Sequence, residues 1–209
     1  MPTCKKRCLG RYALALIAVC GLAVASGDEE AVRLALDKTI DDAVSVLSDP
    51  ELKTDEMKSA RRQRVRDVLL GATDMRRVGM LTLGPHRTRF SAGQLDAFSD
   101  LFTRLVLVTC FRHMDKYRDE DINVLSIELL SKNKAHATGM ICYAGKEIPT
   151  CISLFKNEQG VWKVYDVNVK GIGFVQNYRA QFHELLSKHG PGDFIAHLTE
   201  RVNRNQAYL

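Results

Sequence analysis

The chain has 209 residues, enough for one domain with a sizeable hydrophobic core or for two very small domains. Its formal net charge of +5 comes from 30 basic and 25 acidic residues, but four of the basic residues and none of the acidic ones lie within residues 1–25. The rest of the chain therefore carries 26 positive and 25 negative charges, a balance that argues against a nucleic-acid-binding protein.

The first 25 residues have the pattern of an export signal. Four basic residues precede an almost wholly apolar run over residues 12–25, and Ala23 and Ala25 have the spacing of a cleavage site. The run of about 14 residues is shorter than the ~20 that cross a bilayer, which disfavours a permanent anchor. Lipid attachment at Cys20 is a minority alternative, because Val19 is a poor substitute for the small residue expected before such a cysteine. We predict a cleaved signal peptide over residues 1–25 and one exported domain over residues 26–209.

Three helices are predicted directly after this leader. In the first, over residues 29–47, Leu36, Ile40 and Leu47 belong to an apolar stripe with three- and four-residue spacing. The second and third are predicted over about residues 55–70 and 74–84, and they carry a dense basic run. The run is usually read as a solvated helix face, and the alternative is that it docks an acidic partner or attracts anionic headgroups. It consists of Lys58, Arg61, Arg62, Arg64, Arg66, Arg76 and Arg77.

A fourth helix is predicted from the capping box that Ser91 and Gln94 form, and it runs to about Tyr117. Its apolar residues lie nearly all around the helix, so other parts of the chain have to cover it on several sides. They include Phe98, Phe102, Leu105 and Val106.

The periodicity changes after residue 121. Four short runs rich in β-branched and aromatic residues, separated by turn signals, predict a four-stranded antiparallel meander over about residues 122–169. Two helices close the chain, over about residues 173–189 and 192–203. The order of helices, sheet and helices indicates an α+β fold in which one sheet curves against segregated helices.

Three cysteines lie after the leader: Cys110, Cys142 and Cys151. Cys142 and Cys151 flank a turn and would face each other in a symmetric hairpin, so a disulfide between them is open. The alternative is two buried thiols that act as small apolar residues.

The stretch "WKVYDVNVKGIGFVQNYRAQF" joins the last predicted strand to a helix through Gly171, Ile172 and Gly173. A dinucleotide-binding turn would need a third glycine where Gln176 stands, and a parallel strand after the helix, which the pattern does not predict. The glycines therefore favour a tight turn between strand and helix.

Few residues suggest catalysis or a metal site. The histidines, His183 and His189 among them, lack the spacing of a zinc-binding motif. Asp166 lies inside a predicted strand and needs a hydrogen-bond partner there, either Arg179 or a backbone amide. It is also the best candidate for an acid or base. We predict no metal site, no cofactor and no enzymatic activity.

The remaining signal is a surplus of apolar and aromatic side chains on elements that can face each other. The long fourth helix and the helix after the sheet carry much of it. A filled core and a hollow, ligand-binding one give the same pattern, so periodicity leaves both open.

The stretch from Trp162 to Phe182 resembles the C-terminal signature of the MlaC family of periplasmic phospholipid-binding proteins, also called the toluene-tolerance auxiliary family. Further similarity lies in "FSAGQLDAFSDLF" and "HGPGDFIAHL", and the resemblance covers roughly residues 30–203. Gly173 departs from it, standing where the family usually has serine, and Lys170 stands where an acid is frequent. The matching residues of the signature are Trp162, Val164, Tyr165, Asp166, Val167, Gly171, Ile172, Tyr178, Arg179, Gln181 and Phe182.

The resemblance implies a curved sheet and helices that enclose a deep apolar pocket, an arrangement similar to an NTF2-like cup. It further implies a carrier of phospholipid across the periplasm, between an outer-membrane lipoprotein complex and an inner-membrane ABC transporter with an MCE-domain subunit. Such a carrier maintains the lipid asymmetry of the outer membrane and solvent tolerance. Asp166, Gly171 and Arg179 are expected to have structural roles. The residues expected to contact the lipid or to back its pocket are Phe98, Phe102, Leu105, Val106, Trp162, Val167, Phe174, Val175, Tyr178 and Phe182.

Two alternatives to a phospholipid carrier stay open. A carrier of hopanoids or other polycyclic lipids would have a wide and short pocket rather than a forked and deep one. An enzyme in an NTF2-like cup would use Asp166, because a fold does not settle a function.

Overall fold

The computed structural model describes residues 25–114, 117, 121–143 and 145–205. The predicted signal peptide lies outside these residues apart from Ala25, where the first helix begins. Within the described ranges, no helix is both long enough and apolar enough to cross a membrane.

The helices and strands follow one another in the predicted order. Two short 3₁₀ helices, Glu51–Lys53 and Gly84–Arg89, were not predicted, and each begins beside a proline. The α-helices are α1 (Ala25–Ser48), α2 (Lys58–Ala72), α3 (Met75–Leu83), α4 (Ala92–Met114), α5 (Phe174–Lys188) and α6 (Pro191–Asn203). The strands are β1 (Asp121–Ser131), β2 (Lys134–Tyr143), β3 (Lys146–Lys156), β4 (Trp162–Val169) and β5 (Ile172–Gly173).

The capping box predicted at the start of α4 is present. The backbone N–H of Ser91 donates to Oε1 of Gln94 at 2.9 Å, and the backbone N–H of Gln94 donates to Oγ of Ser91 at 3.3 Å. These reciprocal bonds satisfy two backbone donors that have no partner inside the helix, which fixes where α4 begins.

The sheet is antiparallel with its strands in chain order, but it has five strands instead of the four predicted. The additional strand β5 folds back on β4 over Lys170 and Gly171, whose φ angles of 54° and 83° are both in the left-handed region. Two consecutive positive φ angles are the mark of a type I′ hairpin turn. A strand of two residues is too short to show alternation, so the sequence pattern did not reveal it.

One close approach in the sheet requires glycine. The register between β1 and β2 shifts between Val124 and Ser126, and Gly139 pairs with Val124 at this irregularity. A Cβ atom at Gly139 would lie 2.3 Å from the carbonyl oxygen of Asn123, so no larger residue fits without moving the strand.

The hairpin of β2 and β3 does not bring Cys142 and Cys151 together. Tyr143 pairs with Lys146 across a tight turn, so Cys142 pairs with Glu147 and Cys151 pairs with Thr138. Opposing the two thiols would need a turn centred two residues later in the chain, between Lys146 and Glu147. Both cysteines are half-buried free thiols, as the alternative to a disulfide expected.

Two large cores, and a smaller cluster of Leu107, Phe111 and Met114 near the end of α4, hold the described elements together. The first half of α1 packs on one face of the sheet, where Val32 and Leu36 lie against Leu154 and Trp162. Helices α3 to α6 form a second core around buried aromatic side chains. Helix α2 is attached to the ends of α1 and α4 by the buried Arg61, which donates to the carbonyl oxygens of Leu47 at 3.1 Å and Met114 at 3.2 Å. The second half of α1, α2 and the sheet therefore enclose a space between the two cores.

Candidate functional site

A cavity of about 390 Å³ lies between α1, α2, the end of α4 and the sheet. The residues of its helical wall recur at three- and four-residue spacing, which places their side chains on one face of each helix. From α1 it contains Leu36, Thr39, Ile40, Ala43, Val46 and Leu47, and from α2 it contains Val65, Val68, Leu69 and Ala72. Thr73, just after α2, and Cys110 of α4 complete this side.

The sheet wall of the cavity comes from four neighbouring strands. It contains Ile122 of β1, Ile141 of β2, Thr150 and Ile152 of β3, and Val164 and Val167 of β4. The last two are three residues apart and would point to opposite faces of a regular strand. They share a face because the pairing of β3 with β4 has a register shift at this point, where Ser153 pairs with Asp166 but Leu154 pairs with Val164.

The few polar atoms in the cavity wall are already bonded to the chain itself. The hydroxyl groups of Thr39, Thr73 and Thr150 donate to the carbonyl oxygens of Ala35 at 2.8 Å, Leu69 at 2.6 Å and Ile148 at 3.2 Å. Burial raises the pKa of the Cys110 thiol above its ordinary value, so this thiol stays neutral. Of the described residues that line the cavity, none is charged. The cavity therefore suits an apolar ligand.

The size of the cavity limits what it can hold. A methylene group occupies a volume similar to that of a water molecule, ~30 Å³. The 390 Å³ cavity therefore accommodates roughly 13 methylene groups. This is close to one long acyl chain.

Of the ten residues predicted to contact lipid or to back its pocket, Val167 lines the cavity. Trp162 is buried in the core between α1 and the sheet. The others belong to the core of α3 to α6 or pack against it, and they are Phe98, Phe102, Leu105, Val106, Phe174, Val175, Tyr178 and Phe182. They fill space beside the cavity, and a direct contact between them and lipid stays a prediction.

These aromatic side chains pack tightly on one another. The ring of Phe182 makes edge-to-face contacts with Phe98 and Phe194, with ring centroids 5.8 Å and 5.1 Å apart, and Phe102 makes one with Tyr178 at 5.6 Å. Such geometry is typical of a filled core.

The helical wall of α1 and α2 was not predicted from the sequence as a ligand site. The signal was present, because Leu36, Ile40 and Leu47 were recognised as one apolar stripe of the first helix. The stripe alone does not indicate which part of the protein, or which ligand, packs against it. Its first half packs on the sheet, whereas its second half lines the cavity.

The carboxylate of Asp166 bonds to backbone amides, one of the two partners considered for it, and not to Arg179. One oxygen, Oδ1, accepts hydrogen bonds from the backbone N–H groups of Val175 at 2.9 Å and Val167 at 3.0 Å. Gly173 occupies the N-cap position of α5 and has no side chain to cap the helix, so Asp166 supplies the cap from the neighbouring strand. Arg179 instead donates to the carbonyl oxygen of Leu81, through Nε at 3.0 Å and Nη2 at 2.6 Å.

Replacing Asp166 by alanine is expected to lower the free energy of unfolding by about 1–2 kcal/mol, because α5 loses its cap. Asp166→Asn keeps an oxygen acceptor and should retain most of the stability. Denaturant unfolding of the three proteins measures the difference. Equal stability of Asp166→Ala and the unaltered protein would contradict a capping role for the carboxylate.

Among the described residues, groups of three or more potential metal ligands are absent. Two histidines do meet, since Nε2 of His86 lies 2.8 Å from Nδ1 of His183, at an exposed position away from the cavity. Burial lowers the pKa of His86, and the positive charges of His183 and Arg89 add to this effect. Neither histidine lines the apolar cavity.

Comparisons with known proteins agree with this fold. The family model described as "MlaC protein" matches residues 37–200. Among solved structures, a phospholipid-binding protein from Ralstonia solanacearum, in complex with a phospholipid, is similar with a TM-score of 0.69. The similarity covers 85% of this chain and 98% of that chain at 20% sequence identity. A search of curated proteins by sequence gave no match.

Proposed function

Because this chain belongs to the MlaC family, we propose that it is a periplasmic carrier that binds a phospholipid with an acyl chain inside the cavity between α1, α2 and the sheet. The observation that carries this proposal is the apolar cavity. Its volume suits one acyl chain, and the hydroxyl groups of its three threonines are already hydrogen-bonded within the protein. The phospholipid bound to the similar Ralstonia solanacearum protein supports the same ligand class.

The energetics of such binding favour a sheltered chain. Each methylene removed from water contributes ~0.8 kcal/mol, so roughly 13 of them amount to about 10 kcal/mol before the cost of ordering the lipid is subtracted. One chain fills the cavity, so a second chain of the same lipid requires the helical wall to move away from the sheet.

A carrier also needs a donor and an acceptor membrane. We propose that the protein exchanges lipid with an outer-membrane lipoprotein complex and with an inner-membrane ABC transporter that has an MCE-domain subunit. The predicted export signal over residues 1–25 supports this location, and so does membership of the family. Asp166 does not line the cavity and its carboxylate caps α5, which favours binding over an enzymatic reaction.

Native mass spectrometry of the protein purified from its own periplasm tests the proposal. We expect an added mass that corresponds to about one two-chain phospholipid per protein, and extraction then identifies the lipid. An added mass that corresponds to a polycyclic lipid would instead support the alternative of a hopanoid carrier. A lipid-free protein that takes up no phospholipid from mixed micelles would refute the proposal.

A further inference from the structure

A second groove lies between α2 and α4, on the side of α2 that faces away from the apolar cavity. We name it the arginine groove, since Arg62 and Arg66 of α2 and Arg104 of α4 line it together with Asp100 and the buried ring of Phe111. Its volume is about 690 Å³. It differs from the cavity in its chemistry, because cationic side chains dominate its walls.

The basic run predicted from the sequence separates into two groups in the structure. Outside the groove, three arginines of the run have partners: Arg61 donates to two carbonyl oxygens, Arg76 pairs with Asp96 at 2.6 Å, and Arg77 lies 4.0 Å above the ring of Phe155. Arg64 is exposed on α2 and does not line the groove.

Within the described part of the chain, the three arginines of the groove have no carboxylate partner. Among the described residues, Arg62, Arg66 and Arg104 form no ion pair with a carboxylate, and Asp100 forms none with them. The guanidinium group of Arg62 lies 5.9 Å from the centroid of the Phe111 ring, and its Nε is buried without a hydrogen-bond partner in this part of the chain. A buried guanidinium donor with no acceptor is costly unless an anionic ligand supplies one.

We propose that the arginine groove is a docking site for an acidic segment of a partner protein. Guanidinium groups bind carboxylates through paired hydrogen bonds, and arginine is suited to this role because it remains charged. Arg66 lies one helical turn after Arg62, so the two side chains leave the same face of α2, with Cβ atoms about 5–6 Å apart. Arg104 faces them from α4. A row of this kind fits several carboxylates along one segment better than it fits a single phosphate ion.

The shape of the groove favours a protein over a membrane surface. Its cationic groups line a concave space between two helices, whereas a flat layer of anionic headgroups makes its contacts with side chains that protrude. Asp100 at the same groove would repel a carboxylate placed beside it. The segment therefore has acidic residues opposite the three arginines and a neutral residue opposite Asp100.

This inference goes beyond the proposed function, and the two can fail separately. Helix α2 turns Val65 and Leu69 to the cavity and Arg62 and Arg66 to the groove, so the groove can be altered without touching the lipid site. Lipid occupancy measured by native mass spectrometry thus reports on the cavity, while peptide binding reports on the groove.

The test measures binding of a fluorescent amphipathic peptide, built from glutamate and leucine at helical spacing, by anisotropy at low salt. A peptide with glutamine in place of glutamate is the control ligand. We expect Arg66→Glu and Arg104→Glu each to weaken binding of the acidic peptide by roughly 10-fold or more. Arg64→Glu is the matched control, because it makes the same charge reversal on an exposed part of the same helix, and its binding should change by less than about 2-fold.

Several results would overturn the inference. They are no binding of the acidic peptide, equal binding of the glutamine peptide, and an equal loss in Arg64→Glu, which would mean that only overall charge matters. Binding to vesicles of anionic phospholipid that is lost in the Arg66 and Arg104 variants, with no peptide binding, would make the groove a membrane contact. Unchanged lipid occupancy in these variants is the expected sign that they remain folded.

Discussion

Replacing Ala43 by tryptophan is expected to empty the protein of phospholipid while it remains folded. Ala43 belongs to the helical wall of the cavity, so the indole ring would occupy space that we assign to the acyl chain. Excluding about five methylene groups at ~0.8 kcal/mol each weakens the binding free energy of the lipid by about 4 kcal/mol, which is close to a 1,000-fold loss of affinity. Native mass spectrometry after purification should show the lipid-free mass alone.

The matched control is Ala180→Trp, which places the same side chain on the exposed surface of α5. This variant should keep the lipid content of the unaltered protein. Circular dichroism and thermal unfolding of both variants show whether they are folded. If folded Ala43→Trp retained one phospholipid per protein, the acyl chain would have to lie somewhere other than this cavity.

Replacing Phe182 by alanine is expected to lower the free energy of unfolding by about 3–5 kcal/mol. The side chain is fully buried, with no exposed surface, and its ring contacts those of Phe98 and Phe194 edge to face. Removing it creates a void that the surrounding aromatic side chains fill only in part. For a domain of this size the melting temperature should fall by roughly 10 °C.

Lipid occupancy separates the two roles that Phe182 could have. Because the ring lies in the core of α3 to α6 and not in the cavity wall, the folded fraction of Phe182→Ala should still carry phospholipid. Phe182→Leu, which fills most of the void, is the milder companion variant. A Phe182→Leu protein of normal stability that bound no lipid would instead support the direct lipid contact predicted from the sequence.

Much of the fold could be predicted because local patterns decided it. The spacing of Ser91 and Gln94 predicts the capping box whose reciprocal hydrogen bonds the structure contains. Composition and turn signals predict the four longer strands. The disulfide question depended on the position of a single turn. Pairing of Tyr143 with Lys146 shifts the register and separates Cys142 from Cys151.

The site was harder to predict because a hollow and a filled core share one pattern. Phe98 and Phe102 have the same periodicity whether they pack on rings or on lipid, and in the structure they pack on rings. The shared face of Val164 and Val167 depends on an irregular pairing of β3 and β4 that alternation does not reveal. Asp166 was recognised as needing a partner, but only the spatial approach of α5 showed that the partner is the N–H group of Val175.

The three threonines of the cavity wall have a consequence for selectivity. Since each hydroxyl already donates to a carbonyl oxygen two or four residues earlier in the chain, the wall gives a bound acyl chain no directional contact, and only dispersion and exclusion from water remain. A carrier with such an interior sorts molecules by length and thickness. Affinity would rise in nearly equal steps as each carbon is added to the tail and would level off once the space is full, whatever chemical group the other end of the molecule bears.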